Sequence, residues 1–589
     1  MADYAQHSFV GGMNMSVDDN RLGQDEYKFA KNVRNRFGTL EGIKNVNDIS
    51  GDIGAFTTNP PIQNIYSIGE FVFLFFKGGC KYRKPLNPDS TWAVLYPGGT
   101  MDETAEIFVQ AVPASTQNFL RKETSVAGAS LELDTENPVQ KTVACVIVQD
   151  GISQPRIIEL SGGVASDRAA KTYDEWVDGT YTSREYIPIG RQMAFFNNKL
   201  FVVSPDGTEI YHSVSGRPMD FVVAITTNGH KIKDDTGATA VESVGGAPAT
   251  SYTVGYNEIT ALTVLNNEAL FVSTKGGSYS VTLDYSFTLF AEPMFKKQFL
   301  FTANSINQHS FVDLLGDFAF IDPEGLRSFN AVMQSKNEGR NSVFSLKVAR
   351  LFKGVVQDTR KCAAIVYDDY ALFACNTIFG HGILVYDTLT QQFVSFDQLT
   401  DDSNRNIGPV IEFAKIETNN KRELFAITHG TTTNLVDGVK EPAYKCIKLY
   451  EGSNYATAYV ETRAFCTNDT RVEQKPQELR LLFNQLQSAS SVTAIQRVND
   501  ETTPDSSAGS QTKSLSAQST PINFPVKLST NWSGPKQIQN LLYNFQGGQQ
   551  GWKVSYALKW TNGINLSNIQ LTTQDLTPMN PMLSQAYVS

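Results

Sequence analysis

Apolar residues in this chain come in short runs, each led by a polar pair and closed by a Gly-bearing turn, and the same phrase returns along the sequence. Gly69-Glu70 leads FVFLFF, Lys77-Gly78-Gly79 turns, and Cys80 to Arg83 runs back. Asn197-Asn198-Lys199 leads LFVV, turns at Pro205-Asp206-Gly207 and returns as EIYHSV. Asn266-Asn267-Glu268 leads ALFVS, with Lys275-Gly276-Gly277 and SYSVTL, and Gly316-Asp317 leads FAFI, with Pro323-Glu324-Gly325 and LRSFNAV. Two further copies span Asp368 to Tyr386, around Gly380-His381-Gly382, and Arg422 to Leu449, around a longer loop; a weaker one is Val143 to Val148 with the turn Asp150-Gly151. Each phrase predicts a β-hairpin. A hairpin cannot bury its apolar face alone, so a chain that makes many must stack them.

The hairpin centres fall near residues 73, 201, 271, 319, 372 and 425, and the later spacings suit four-stranded units joined by unequal loops. The pattern predicts an all-β protein: a β-propeller of six or seven blades over 62–452, with inserts near 85–140 and 223–257. Residues 1–61 form an opening segment, with a short helix expected near Gln24 to Lys31 and the Asn59-Pro60-Pro61 punctuation at its end. From 453 to 589 Ser, Gln, Thr and Asn rise, and period-two runs at Leu479 to Phe483 and Trp552 to Trp560 flank a polar loop, Asn499 to Gln518, that is expected to be mobile. The opening segment and this last part are expected to make one β-rich platform domain. A pair of β-sandwiches is the structural alternative, and the near-identical lead-ins favour repetition of one element over it.

Composition narrows the class. At 589 residues, 41% hydrophobic and 19% charged, the chain reads as globular and multi-domain. A net charge of −10 argues against wrapping nucleic acid through phosphate neutralisation. The densest basic stretch, Lys28, Lys31, Arg34 and Arg36, is interleaved with Asp25, Glu26 and Glu41 and reads as a solvated or interfacial face. Cysteines 80, 145, 362, 375, 446 and 466 have no CxxC spacing, so buried free thiols in a reducing compartment are expected rather than zinc or disulfides. The opening MADYAQHSFVGG carries no leader pattern, and no apolar stretch is long enough to span a membrane.

Chemistry is sparse. GxSxG, HExxH and GxxxxGK[ST] are all missing. Histidines 7, 212, 230, 309, 381 and 429 form no close pairs in sequence, and each is assigned a surface or turn role. The pairs Asp18-Asp19, Asp234-Asp235, Asp368-Asp369 and Asp401-Asp402 could supply a glycosidase acid and base, but neighbouring residues on a strand face opposite ways. Ser204-Pro205-Asp206-Gly207 is similar to a sialidase Asp-box without its spacing or its Trp. Asp18 to Gly23 fails as a calcium loop, with Leu22 and Phe29 where oxygen ligands belong. No catalytic, cofactor or metal residue is assigned, and the chain is expected not to be an enzyme.

Several stretches resemble one family. The opening FVGGMNMSVDDNRLGQDEYKFAKNVRNRFGTLEGIKN, then YHSVSGRPMDFV at 211–222, ITALTVLNNEALFVSTKGGSYSV at 259–281, GLRSFNAV at 325–332 and ETRAFCTNDTRVEQKPQELRLLF at 461–483 follow the order seen in tail nozzle proteins. These are also called tail tubular or DNA-stabilisation hub proteins of short-tailed bacteriophages. The resemblance implies a structural virion protein, assembled in the host cytoplasm as a homo-oligomer, typically a hexamer. The ring would sit below the portal and adaptor proteins, beside tail fibres or other tail proteins. Double-stranded DNA would pass through its lumen without sequence-specific binding, and the acidic balance suits a wall along which DNA slides. A receptor- or glycan-binding propeller is the alternative, followed by a carbohydrate-active enzyme.

Overall fold

The computed structural model describes residues 2–50, 53, 62–85, 87, 90–115, 121–122, 132–133, 143–161, 163–169, 172–177, 180–185, 187–213, 218, 221, 230–233, 239–242, 252–265, 268–289, 292–314, 316–337, 344–401, 406–418, 421–436, 439–466, 474–483, 490–498, 510–515, 539–544, 553–561 and 565–575. The fold is all-β, as the sequence predicts, and built from small antiparallel sheets. No described helix is long and apolar enough to cross a membrane.

Among the described residues, seven sheets follow one another between Ile62 and Lys448, with two further sheets set within the interval, Arg121–Lys122 with Glu132–Leu133 and the one built on Thr172–Val177. The first strands are Ile62–Ile68, Phe108–Ser115, Met193–Phe196, Ile259–Leu265, Phe311–Asp313, Ala363–Tyr367 and Val410–Thr418. Each meets the first strand of the next sheet in chain order, the fourth and fifth through the turn Gln308–Ser310, and Val410–Thr418 returns to pack against Ile62–Ile68. The succession is therefore closed. The seventh sheet takes its outer strand from the start of the chain: Asn47–Asp48 pairs with Val439–Lys448, in the register Ile447↔Asp48.

Closure explains why the runs are apolar without a break. In FVFLFF, Phe71, Phe73 and Phe75 pack with Val146, Val148 and Ile158 of the second sheet, while Val72 and Leu74 pack with Phe425 and Ile427 of the seventh. Side chains alternate across a strand, so a strand buried on both faces needs apolar residues at every position. LFVV obeys the same rule: Leu200 and Val202 face the second sheet, Phe201 and Val203 the fourth. Each fully buried side chain of this size contributes about 1.5–3 kcal/mol by leaving water.

The turns are legible too. Asp150 accepts from the N–H groups of Ile152 and Ser153, Asp322 from Glu324, and Asp387 from Leu389 and Thr390, so a short acceptor at the strand end satisfies the turn's backbone. Gly78 stands at φ 66°, and a Cβ there would overlap the Met101 carbonyl. Gly78→Ala is expected to lower stability by at least about 1–2 kcal/mol, the cost of left-handed backbone to a residue with a Cβ. A urea midpoint that does not move would contradict this.

Several sequence expectations are corrected. Gln24 to Lys31 holds the strands Glu26–Tyr27 and Phe29–Lys31 instead of a helix, because Tyr27 and Phe29 alternate inward and Phe29–Lys31 pairs with Ala458–Glu461. The return run LRSFNAV is a strand only to Ser328; Phe329–Asn337 is an α-helix. The longer loop expected within Arg422 to Leu449 is extended hairpin, Lys421–Val436 against Val439–Lys448. The interval 85–140 is not one insert: Ala93–Tyr96 completes the first sheet and Phe108–Ser115 begins the second, and most of 116–142 lies outside the described residues. In 223–257, His230–Lys233 and Thr239–Glu242 form a hairpin that joins Thr172–Val177 and Thr180–Glu185 in an extra sheet; the rest of the interval up to residue 251 lies outside the described residues. Within the expected loop 499–518, Ser510–Leu515 pairs with Ser490–Val498, and the remainder lies outside the described residues.

The two ends of the chain share two six-stranded sheets. In one, Ala2–Gln6 and Thr39–Gly42 both pair with Asn565–Asp575, which pairs in turn with Gln474–Phe483. In the other, Phe29–Lys31 pairs with Ala458–Glu461, next to Lys553–Trp560 and Ser490–Val498. Their apolar faces meet in one core, with Leu479, Leu481 and Ile569 from the first and Val554, Tyr556, Leu558 and Trp560 from the second. The same core runs on into Ala319 and Ile321 of the fifth ring sheet and Phe373 and Leu384 of the sixth.

Candidate functional site

Two regions gather ionisable side chains from distant parts of the chain: the seam between the paired ends and the ring, and the axis of the ring.

At the seam, the Arg34 guanidinium donates to Asp397 Oδ2 at 2.7 Å, and both side chains are buried. Ser395 Oγ donates to the other carboxylate oxygen at 2.7 Å and the Tyr450 hydroxyl to Oδ2 at 3.1 Å. Arg34 also stacks on the rings of Tyr450 and Tyr370, 4.6 and 5.3 Å from their centroids. Burial alone would discourage the Arg34 charge, and Asp397 more than restores it. Nearby, Lys31 lies 4.8 Å over the Phe379 ring and donates to Gln398. The basic stretch thus runs from the seam to the surface: Arg34 is interior, the partly buried Lys28 donates to the Val17 carbonyl, and Arg36 is exposed and meets Glu41 at 3.5 Å.

On the axis, the first strands converge on two cavities of about 350 and 270 Å³ that share His309 and Glu412 in their walls. His309 Nε2 lies 3.3 Å from Glu106 Oε1, and Nδ1 is ion-paired with Glu412. Its ring stacks on Phe108, with the planes 9° apart. Burial opposes the imidazolium, but the charge of Glu412 and hydrogen bonds to both carboxylates outweigh it, and the pKa is pushed up to about 10. The charged imidazolium ties the approach to the second sheet, the turn before the fifth and the first strand of the seventh into one clasp. Among the described residues, no group of three or more His, Cys, Asp or Glu is placed to hold a metal ion.

The remaining histidines depart from a common surface role. His212 is buried against Phe295, His7 contacts Asn568 at an exposed site, and the side chain of His230 lies outside the described residues. His381 and His429 sit near one another in space and near Lys361, and burial first and that ammonium second hold both below the usual imidazole range. The carboxylate pairs do not converge: Asp19 meets Lys553 at 3.0 Å, Asp368 pairs with Arg422, Asp401 meets Lys445 at 2.9 Å, and Asp234-Asp235 lies outside the described residues. Asp206 shapes its own turn with Ser204 and Thr208. Cysteines 80, 145, 362, 375 and 446 are buried free thiols, and Cys466 is partly exposed.

No family model and no curated protein matches the chain. Solved structures that match include a chain of a nidogen/laminin complex, at 9% identity and a TM-score of 0.26, covering 55% of this chain and 90% of that one. At that score the likeness carries no argument about fold or function.

Sequence reading missed the Glu106–His309–Glu412 clasp and the hairpin at 172–185. The hairpin had a signal, Asp178-Gly179 between two β-prone runs. The clasp had none, because its members come from three distant parts of the chain, two of them outside any strand.

Proposed function

We propose that the chain is a structural subunit of a phage tail nozzle, folded as a propeller of seven blades under a platform made by both ends of the chain. The observation that carries this reading is the continuity of the platform with the ring. Strands from the two ends of the chain pair with each other in both platform sheets, and one core passes from them into the fifth and sixth ring sheets. A part that holds a packed genome must transmit load without hinging. A shared core with a buried Arg34–Asp397 pair across the seam serves that purpose.

The path for DNA would lie between copies rather than through one subunit. The axis of a single ring is crossed by His309, Glu106, Glu412 and Phe108, and its cavities are far smaller than a duplex. Six copies about a common axis, docked by their platforms on an adaptor below the portal, would enclose a lumen. With a net charge of −10 per chain, that lumen is expected to be acidic or neutral, so that phosphates are not held in transit. Single-particle images of the concentrated protein test the proposal. The expected result is a closed ring of six copies around an opening that admits a duplex. Single subunits or open filaments at every concentration, or a continuous basic lining, would overturn it.

A further inference from the structure

The smaller axial cavity opens between the fifth, sixth, seventh and first sheets; the charges that line it cancel in total but are unevenly placed. On its inner side, Glu106 and Glu412 are both engaged by His309. At the mouth, Asp358 is held by Lys361 at 2.8 Å. Arg360 also lines the cavity, and among the described residues it has no carboxylate within ion-pairing distance. His429 and Tyr444 stand directly opposite each other on the paired strands Lys421–Val436 and Val439–Lys448, their rings 4.8 Å apart. Both line the same cavity, and Arg360 and Lys361 lie close enough to act electrostatically on Tyr444.

The mouth therefore presents a guanidinium, an ammonium, an imidazole and a phenol around about 270 Å³ of space, with one carboxylate at the rim that is already engaged. We propose that this mouth binds a small oxyanion, a phosphate-class or carboxylate group, with Arg360 as the principal charge and His429 and Tyr444 as donors. A guanidinium presents a planar fork of donors suited to such a group. The inference is independent of the nozzle reading, since it rests on the cavity and not on assembly.

His429 adds a direction with pH. Burial first and Lys361 second hold its ring below the usual imidazole range, with Asp358 opposing; His381 lies near it, and Arg360 and Tyr444 line the same cavity. A bound anion favours the imidazolium, so affinity rises as pH falls.

Calorimetric titration of the full chain with sulfate, whose charge is constant between about pH 6 and pH 8, tests this at matched ionic strength. Malonate is the carboxylate arm. One saturable site per chain is expected, several-fold tighter at the lower pH. Arg360→Gln should weaken it about tenfold or more, the scale of a lost charged hydrogen bond. His429→Gln should flatten the pH dependence, and Lys353→Gln, a change of charge on an exposed residue outside the cavity, should alter neither. Binding of sulfate alone assigns the phosphate class, and binding of malonate alone assigns the carboxylate class. No saturable site for either anion, or equal losses in Arg360→Gln and Lys353→Gln with both variants folded by circular dichroism, overturns the proposal.

Discussion

Asp397→Ala lowers the stability of the chain by about 3–5 kcal/mol, because it leaves the Arg34 guanidinium buried without its carboxylate. The loss exceeds that of an ordinary surface pair, whose median worth is about 0–1 kcal/mol. Ser395 and Tyr450 also lose their acceptor, and neither can neutralise a cation. Replacing both partners by apolar residues, Arg34→Met with Asp397→Leu, recovers most of the loss, since a buried pair contributes less than breaking it costs. Urea unfolding of the two single variants and the double variant closes the cycle. A loss below about 1 kcal/mol for Asp397→Ala would mean that the seam is hydrated, because a surface pair is worth no more than that.

His309→Ala is expected to cost about 1.5–3 kcal/mol, the scale of a charged hydrogen bond, by leaving the largely buried Glu412 and the partly exposed Glu106 without the cation they share. The sign of its pH dependence follows from the raised pKa. The folded imidazole holds its proton to about 10, whereas the unfolded one releases it near 6.5, the ordinary value. The stabilisation is fully present below about 6.5, falls as pH rises from there, and is lost above about 10. Unfolding free energies measured from about pH 6 to pH 10 should therefore decline in the native chain and decline less in His309→Gln. Parallel curves would place the proton elsewhere.

What the sequence disclosed was whatever is decided locally. Phe71 to Phe76 and the Lys77-Gly78 turn announce a hairpin because both the unbroken apolar run and the left-handed turn are local. Trp560, Tyr556 and Val554 announce a one-sided strand for the same reason, and all three are buried on one face of the core; Trp552, expected beside them, lies outside the described residues. The helix expected at Gln24 to Lys31 failed because Phe29–Lys31 is taken by Ala458–Glu461, a partner far along the chain, and Glu26–Tyr27 by Gly12–Met13. His309 looked inert because its meaning lies in residues 106 and 412, which no spacing rule connects to it. Sequence periodicity reports which way a side chain faces and is silent on which sheet it will face.

Asn47–Asp48 and Ala2–Gln6 pair with strands made at the far end of the chain. At about 5–20 residues per second, a ribosome takes about half a minute to two minutes to deliver those partners. Throughout that time the opening strands of the nascent chain have bare edges, of the kind that recruit neighbouring polypeptides. Closing so wide a loop is slow in its own right. Production of soluble protein should therefore depend more on chaperone supply and on translation speed than on the stability of the finished fold.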